Sequence, residues 1–169
     1  AGAHEADLGS VIVSATVLFA DGREAVLRSD ELDLSYRHSR FKDANAGVIS
    51  PAEIVLGAVF RLRAADPADI KARLDDIRTW RREHQPLGIP SAGSVFRNPP
   101  GDSAGRLVDV LGLTGYRAGG AVVSEKHANF IVNDAHSTAT DVRRLAEHVR
   151  DQVRVHHGID LAFEIEFVG

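Results

Sequence analysis

The C-terminal end of the chain constrains its fold more than any other stretch. Val142, Leu145, Val149 and Val153 recur at helical spacing, and Gly158 closes the run. Residues 161–168 then alternate strictly, with Leu161, Phe163, Ile165 and Phe167 on one side and Ala162, Glu164, Glu166 and Val168 on the other. The first pattern predicts a helix with one apolar face, the second a strand with one apolar face. Each exposes a stripe that has to be buried against another layer.

Upstream, Val11 to Phe19 and Ala25 to Leu27 flank Asp21-Gly22, which reads as a hairpin. Ser29 to Leu32 could start a short helical turn, and Tyr36 to Lys42 has no period and reads as loop. Glu53 to Arg63 is a further strand. A helix follows from the Asp66 cap and Pro67, with Ile70, Leu74 and Ile77 on one face, and ends at Pro86. Leu87 to Gly105 is rich in turn residues. A short helix over Ser103 to Leu111 stops at Gly112, and strands lie near Val122 and over Phe130 to Val132. Strands come first and a mixed region follows, so the fold class is α+β. The expected division is residues 1–65 and 66–169.

Composition narrows the function. With 44% hydrophobic residues the chain can bury a core, and its net charge of -4 disfavours non-specific nucleic-acid binding. No apolar run reaches the roughly 18 residues of a membrane span, and the N-terminus does not resemble a signal peptide. The absence of Cys excludes disulfides, thiol catalysis and Cys-ligated zinc. The eight His show no helical metal-ligand pair, so no metal is expected. A reducing cytoplasm is compatible with this. The chain also has no Met, which points to processing or to excision from something longer.

Three places hold candidate chemistry. Gly93-Ser94-Val95-Phe96-Arg97-Asn98-Pro99-Pro100 is a stiff loop that presents a hydroxyl, a guanidinium and a carboxamide. The alternative is a turn whose Ser and Asn only cap the backbone. Glu164 lies opposite the aromatic side of the last strand, so it is either a solvated carboxylate or a group fixed on a rigid element beneath a cleft. Arg37 sits in the irregular YRHSRFK stretch and is otherwise a surface Arg.

Five segments in order resemble the bacterial UDP-N-acetylenolpyruvoylglucosamine reductase family. They are AGAHEADLGSVIVSATVLFADG, LDLSYRHSRFK, PSAGSVFRNPPGDSAGRLVDVLGLTG, GGAVVSEKHANFIVN and LAFEIEFVG. The resemblance implies the C-terminal half of an FAD-binding α+β domain followed by a smaller α+β substrate-binding domain. It also implies a flavoenzyme of cell-wall synthesis that uses FAD and NADPH to reduce UDP-N-acetylglucosamine enolpyruvate to UDP-N-acetylmuramate.

Carried over residue by residue, the resemblance makes Ser94 the proton donor, with Arg37 and Glu164 stabilising the enolate-like charge. Glu164 would act as a protonated donor or through a water. Asn98, Arg81 (or its neighbour Arg82) and Lys126 become substrate contacts, and Gly2, Ala3 and Arg37 cofactor contacts. Glu5 stands where the family usually has Gly. The family's N-terminal glycine-rich segment has no counterpart here, so it is expected as a partner, and these residues alone are expected not to turn over. A different class remains open, a non-catalytic module that binds a UDP-sugar or a partner chain.

Overall fold

A computed structural model describes residues 2–3, 6–44, 52–134 and 136–167. Glu5, in the first motif, and Val168, at the end of the alternating run, lie outside the described residues. The chain divides into two compact units, residues 1–70 and 71–169. The α+β class holds: antiparallel sheets and helices occur together.

In the first unit a two-residue ribbon pairs β1 (Gly2–Ala3) with β2 (Ala6–Asp7). The hairpin is β3 (Ile12–Phe19) and β4 (Glu24–Arg28), closed by Phe19 N–H to the Arg23 carbonyl at 2.9 Å. β5 (Glu53–Phe60) pairs antiparallel with the other side of β3, giving the order β4-β3-β5. Ala15, Val17, Leu27 and Leu32 form the small core of this unit. Ile54, Val55, Leu56, Val59 and Phe60 on β5 are exposed, so β5 is a long apolar edge strand with uncovered faces.

The predicted helical turn after β4 is a 3-10 turn, Ser29–Glu31. The stretch read as loop, Tyr36 to Lys42, runs into α1 (Arg40–Ala44), which periodicity cannot reveal in five residues. Glu53 anchors it: Arg40 donates to both carboxylate oxygens, at 3.0 and 2.6 Å, and to the Glu31 carbonyl at 3.2 Å.

α2 (Pro67–His84) starts as predicted, with the Ala68 N–H donating to Asp66 Oδ1 at 2.7 Å. The shared face of Ile70, Leu74 and Ile77 joins no core, for none of the helix's residues is buried and Ile70 and Leu74 are about half exposed. Helical spacing established the helix but could not establish what covers it.

The second unit is built on a four-stranded antiparallel sheet ordered β6-β9-β8-β7, from β6 (Ser91–Ser94), β7 (Arg117–Ala118), β8 (Ala121–Val123) and β9 (Phe130–Asn133). β6 lies inside the stretch read only as turn-rich. Its small residues hide a strand that β9 recruits by pairing. α3 (Ala104–Val110) is capped by Ser103, whose Oγ accepts the Arg106 N–H at 3.2 Å. α4 (Ala139–His157) lies across the sheet, with Leu145, Val149 and Val153 at most 1% exposed. Burial of each contributes about 1.5–3 kcal/mol.

The alternating run after α4 does not form the predicted strand. It makes a single bridge, Phe163 to Phe96. Arg97 N–H donates to the Ala162 carbonyl at 2.9 Å, and the Glu164 N–H donates to the Val95 carbonyl at 2.8 Å. The partner segment leaves at Asn98-Pro99-Pro100, and prolines have no N–H to extend a ladder. The side-chain alternation partly survives, with Leu161 1% exposed and Ala162 and Glu166 exposed.

Candidate functional site

Gly93 decides where Ser94 points. At Gly93 φ is +82°, a region an L side chain rarely adopts, and the β6–β9 register slips between Ser91 and Ser94. A bulge of this kind re-aims the next side chain. Ser94, half-buried, lines a cavity of about 430 Å³ in the second unit, together with Asn98, Lys126, His127, Asn129 and the first turn of α3. Three sequence candidates, Ser94, Asn98 and Lys126, are thus brought to one cavity.

Each is held by a definite contact. Asn98 Oδ1 accepts the Ala104 N–H at 3.0 Å, tying the proline loop to α3, so the capping alternative describes its oxygen correctly. Lys126 Nζ donates to the Arg82 carbonyl at 2.5 Å, in the last turn of α2. Arg81 is not brought to the cavity: its Nε donates to Gln85 Oε1 at 3.1 Å along α2's exposed face. Glu164 is half-buried, and its backbone is joined to Val95, next to Ser94.

Several lining groups were not singled out from the sequence. Arg106, in the first turn of α3, forms a two-pronged ion pair with Asp102, and that guanidinium, followed by the Ser103 N–H, pulls the Asp102 carboxyl down to about 2. Asp102 therefore stays ionised to lower pH than a free carboxyl, and the pair's contribution, full above the ordinary carboxylate range, is lost as pH falls through about 2. His127 is half-buried, and burial pushes its imidazole below the ordinary 6.5, so it is neutral at pH 7. The Asn129 N–H donates to His127 Nδ1 at 3.2 Å, which places the ring proton on Nε2. His127 and Asn129 both lie in the SEKHANF stretch, beside Lys126.

Arg37 belongs to the first unit. It is the third residue of a tight turn closed by His38 N–H to the Ser35 carbonyl at 3.1 Å, and its φ is +57°. Left-handed backbone at a non-glycine residue persists only where the surroundings impose it, and it concentrates at functional sites. Here the turn is flanked by the Arg40 N–H donating to the Leu32 carbonyl at 3.0 Å and by a contact of His38 Nε2 with Asp33 Oδ2 at 3.0 Å. The guanidinium is half-buried and lies 5.1 Å from the Tyr36 ring. Arg37→Gly is expected to be about 1 kcal/mol more stable than Arg37→Ala in urea unfolding, although both lose the guanidinium. Equal stabilities would show that the turn carries no strain.

Gly2 and Ala3 occupy β1. The described cavity of the first unit is lined by Asp7, Asp30 and Asp33 with no Lys or Arg. Three carboxylates do not fit a dinucleotide pyrophosphate, which wants cations and amide donors. Among the described residues no group of three His, Asp or Glu could hold a metal, and no helix is long and apolar enough to cross a membrane.

A family model for "UDP-N-acetylenolpyruvoylglucosamine reductase, C-terminal domain" matches residues 85–168. A UDP-N-acetylenolpyruvoylglucosamine reductase of Limosilactobacillus reuteri is 43% identical over all 169 residues, which span 54% of that relative. One from Symbiobacterium thermophilum is 44% identical, again over the whole chain and 53% of the relative. The crystal structure of the reductase from Thermus caldophilus superposes with a TM-score of 0.82 at 34% identity, covering 98% of this chain and 56% of that one. The chain thus spans about half the length of the curated relatives it matches.

Proposed function

Since the chain belongs to the UDP-N-acetylenolpyruvoylglucosamine reductase family, through the C-terminal domain matched by residues 85–168, we propose that it carries the proton-donating and substrate-holding part of that reductase. The reaction converts UDP-N-acetylglucosamine enolpyruvate to UDP-N-acetylmuramate in peptidoglycan synthesis, in the cytoplasm. The observation that supports this best is the place of Ser94, at the break in the β6–β9 register, on the lining of a cavity it shares with Asn98 and Lys126.

When bound, FAD reduced by NADPH supplies the hydride to the enol double bond. Everything else is work for side chains. Addition at one vinyl carbon leaves negative charge on its neighbour and on the carboxylate. Ser94 gives its proton to that neighbouring carbon. A serine hydroxyl suits the role because it is small, neutral and can be placed close to a strongly basic carbon. Arg37 and Glu164 stabilise the charge while it exists, Arg37 by its permanent cation. Lys126 and the carboxamide of Asn98 face the anionic substrate. Gly2, Ala3 and Arg37 form part of the flavin's seat, while the acidic cavity of the first unit does not hold its pyrophosphate.

The test has two arms. Completed by the family's N-terminal glycine-rich segment and loaded with flavin, the protein should oxidise NADPH beyond the one equivalent that reduces the flavin only when UDP-N-acetylglucosamine enolpyruvate is present, and yield the lactyl ether by mass spectrometry. The 169 residues alone should bind the UDP-sugar in calorimetry, remain colourless and oxidise no NADPH. Binding without turnover in both preparations would leave a non-catalytic UDP-sugar module.

A further inference from the structure

A proton donor works only from one place, and little in Ser94's own stretch of chain fixes it. It follows Gly93 at φ +82°, in a slipped register, and precedes a segment that leaves the sheet. Besides its backbone bonds to Ala162 and Glu164, this stretch is held by a side chain just before β9. Asn129 is 4% exposed. Its Oδ1 accepts the Phe96 N–H at 3.0 Å, its Nδ2 donates to the Phe96 carbonyl at 2.8 Å, and its own backbone carbonyl accepts the Val95 N–H at 2.8 Å.

One residue thus grips two consecutive residues, the first of them directly after Ser94. Only a carboxamide can accept and donate from one planar group at this reach. A carboxylate loses the donor, and a hydroxyl is too short. Asn129 is itself held by His127 through the 3.2 Å bond to Nδ1. The bare face of Gly105 admits that ring, since a Cβ there would lie 3.3 Å from His127 Cε1.

We propose that Asn129 is a positioning residue for Ser94. Its buried carboxamide clamps the backbone at Phe96 so that the Ser94 hydroxyl is presented to the substrate at the distance proton transfer needs. The proposal rests on the reading of Ser94 as the donor. Its sensitivity follows from geometry, because a displacement of about 1 Å in a reacting group can cost on the order of 10²-fold.

The experiment compares Asn129→Asp, Ser94→Ala and the double variant in flavin-loaded protein by stopped flow, with amide hydrogen exchange on the flavin-free chain. Asn129→Asp should slow oxidation of the reduced flavin by substrate roughly 10- to 100-fold, leave flavin reduction by NADPH unchanged, and add nothing on the Ser94→Ala background. In the flavin-free chain Asn129→Leu, which removes the acceptor as well as the donor, should abolish exchange protection of the Phe96 amide. Equal slowing of both half-reactions, or a double variant whose loss is the product of the single losses, overturns the proposal, since a purely structural role is additive. If Ser94→Ala leaves the substrate half-reaction intact, the donor reading itself fails, whatever exchange shows about the clamp. Should Asn129→Asp not fold, Gly105→Ala crowds His127 instead. It should give a smaller loss in the same half-reaction, again absent on the Ser94→Ala background, and an additive loss there overturns the proposal as before.

Discussion

Ser94→Ala is expected to slow the substrate half-reaction by about 10²–10⁴-fold, while NADPH reduces the flavin at an unchanged rate. The size follows from the chemistry. In the proposed reaction, the carbanion left by hydride addition has no outlet but return without a proton, so the forward step loses its general acid, about 3–5 kcal/mol at 1.36 kcal/mol per decade. Alanine keeps the backbone of the Gly93–Ser94 bulge and its pairing with Phe130, so the loss reports the hydroxyl alone. Stopped-flow traces of the two half-reactions separate the cases. Equal slowing would assign Ser94 to folding or to binding of both partners, and no slowing would remove it from the chemistry.

Gly119→Ala should have the largest effect on stability, at a position outside the cavity. Gly119 has φ +58° in the turn between β7 and β8, and a Cβ built there lies 2.5 Å from Asp141 Cγ. That carboxylate is already committed. Oδ2 accepts from the Thr138 N–H and from its hydroxyl, both at 2.9 Å, while the Asp141 N–H donates to Thr138 Oγ1 at 3.1 Å. The result is a capping box at the start of α4.

These bonds, with the Thr138 N–H first, hold the Asp141 carboxyl below its ordinary range. Their contribution is present above that range and is lost as pH falls through the depressed value. A methyl at 119 has to displace the carboxylate and adopt left-handed backbone. Loss of a helix cap costs about 1 kcal/mol and a left-handed alanine about 1–2 kcal/mol, so urea unfolding should show about 2–3 kcal/mol of destabilisation. On an Asp141→Ala background the same substitution should cost clearly less, because only the backbone strain remains. Full additivity would show that the two groups do not meet.

How much of this was legible beforehand depended on whether the signal was local. The hairpin around Asp21-Gly22, the Asp66 cap of α2, the short α3 and the stripe of α4 are written in residues within one or two turns of each other, and all are present. β6 was missed because Ser91-Ala92-Gly93-Ser94 has no apolar pattern, and β9 makes it a strand. The alternating run at 161–167 was overread, since alternation specifies two faces and not a partner able to continue a ladder. In the site, Ser94 and Asn98 stood out as a hydroxyl and an amide on a stiff loop. Asn129 did not, because its partner Phe96 is 33 residues away.

The amino-acid sequence by itself determined the α+β class, the helices with their caps, and the motifs that tie the chain to the reductase family, because these depend on neighbours in the chain and on residue identity. Only the tertiary structure decided that Lys126 reaches the cavity of Ser94 while Arg81 turns to Gln85, that α2 leaves its apolar face exposed, and that Asn129 grips the backbone beside the proposed donor. Those outcomes depend on distances between residues far apart in sequence. Such distances are set by how the faces pack, and no local pattern contains them.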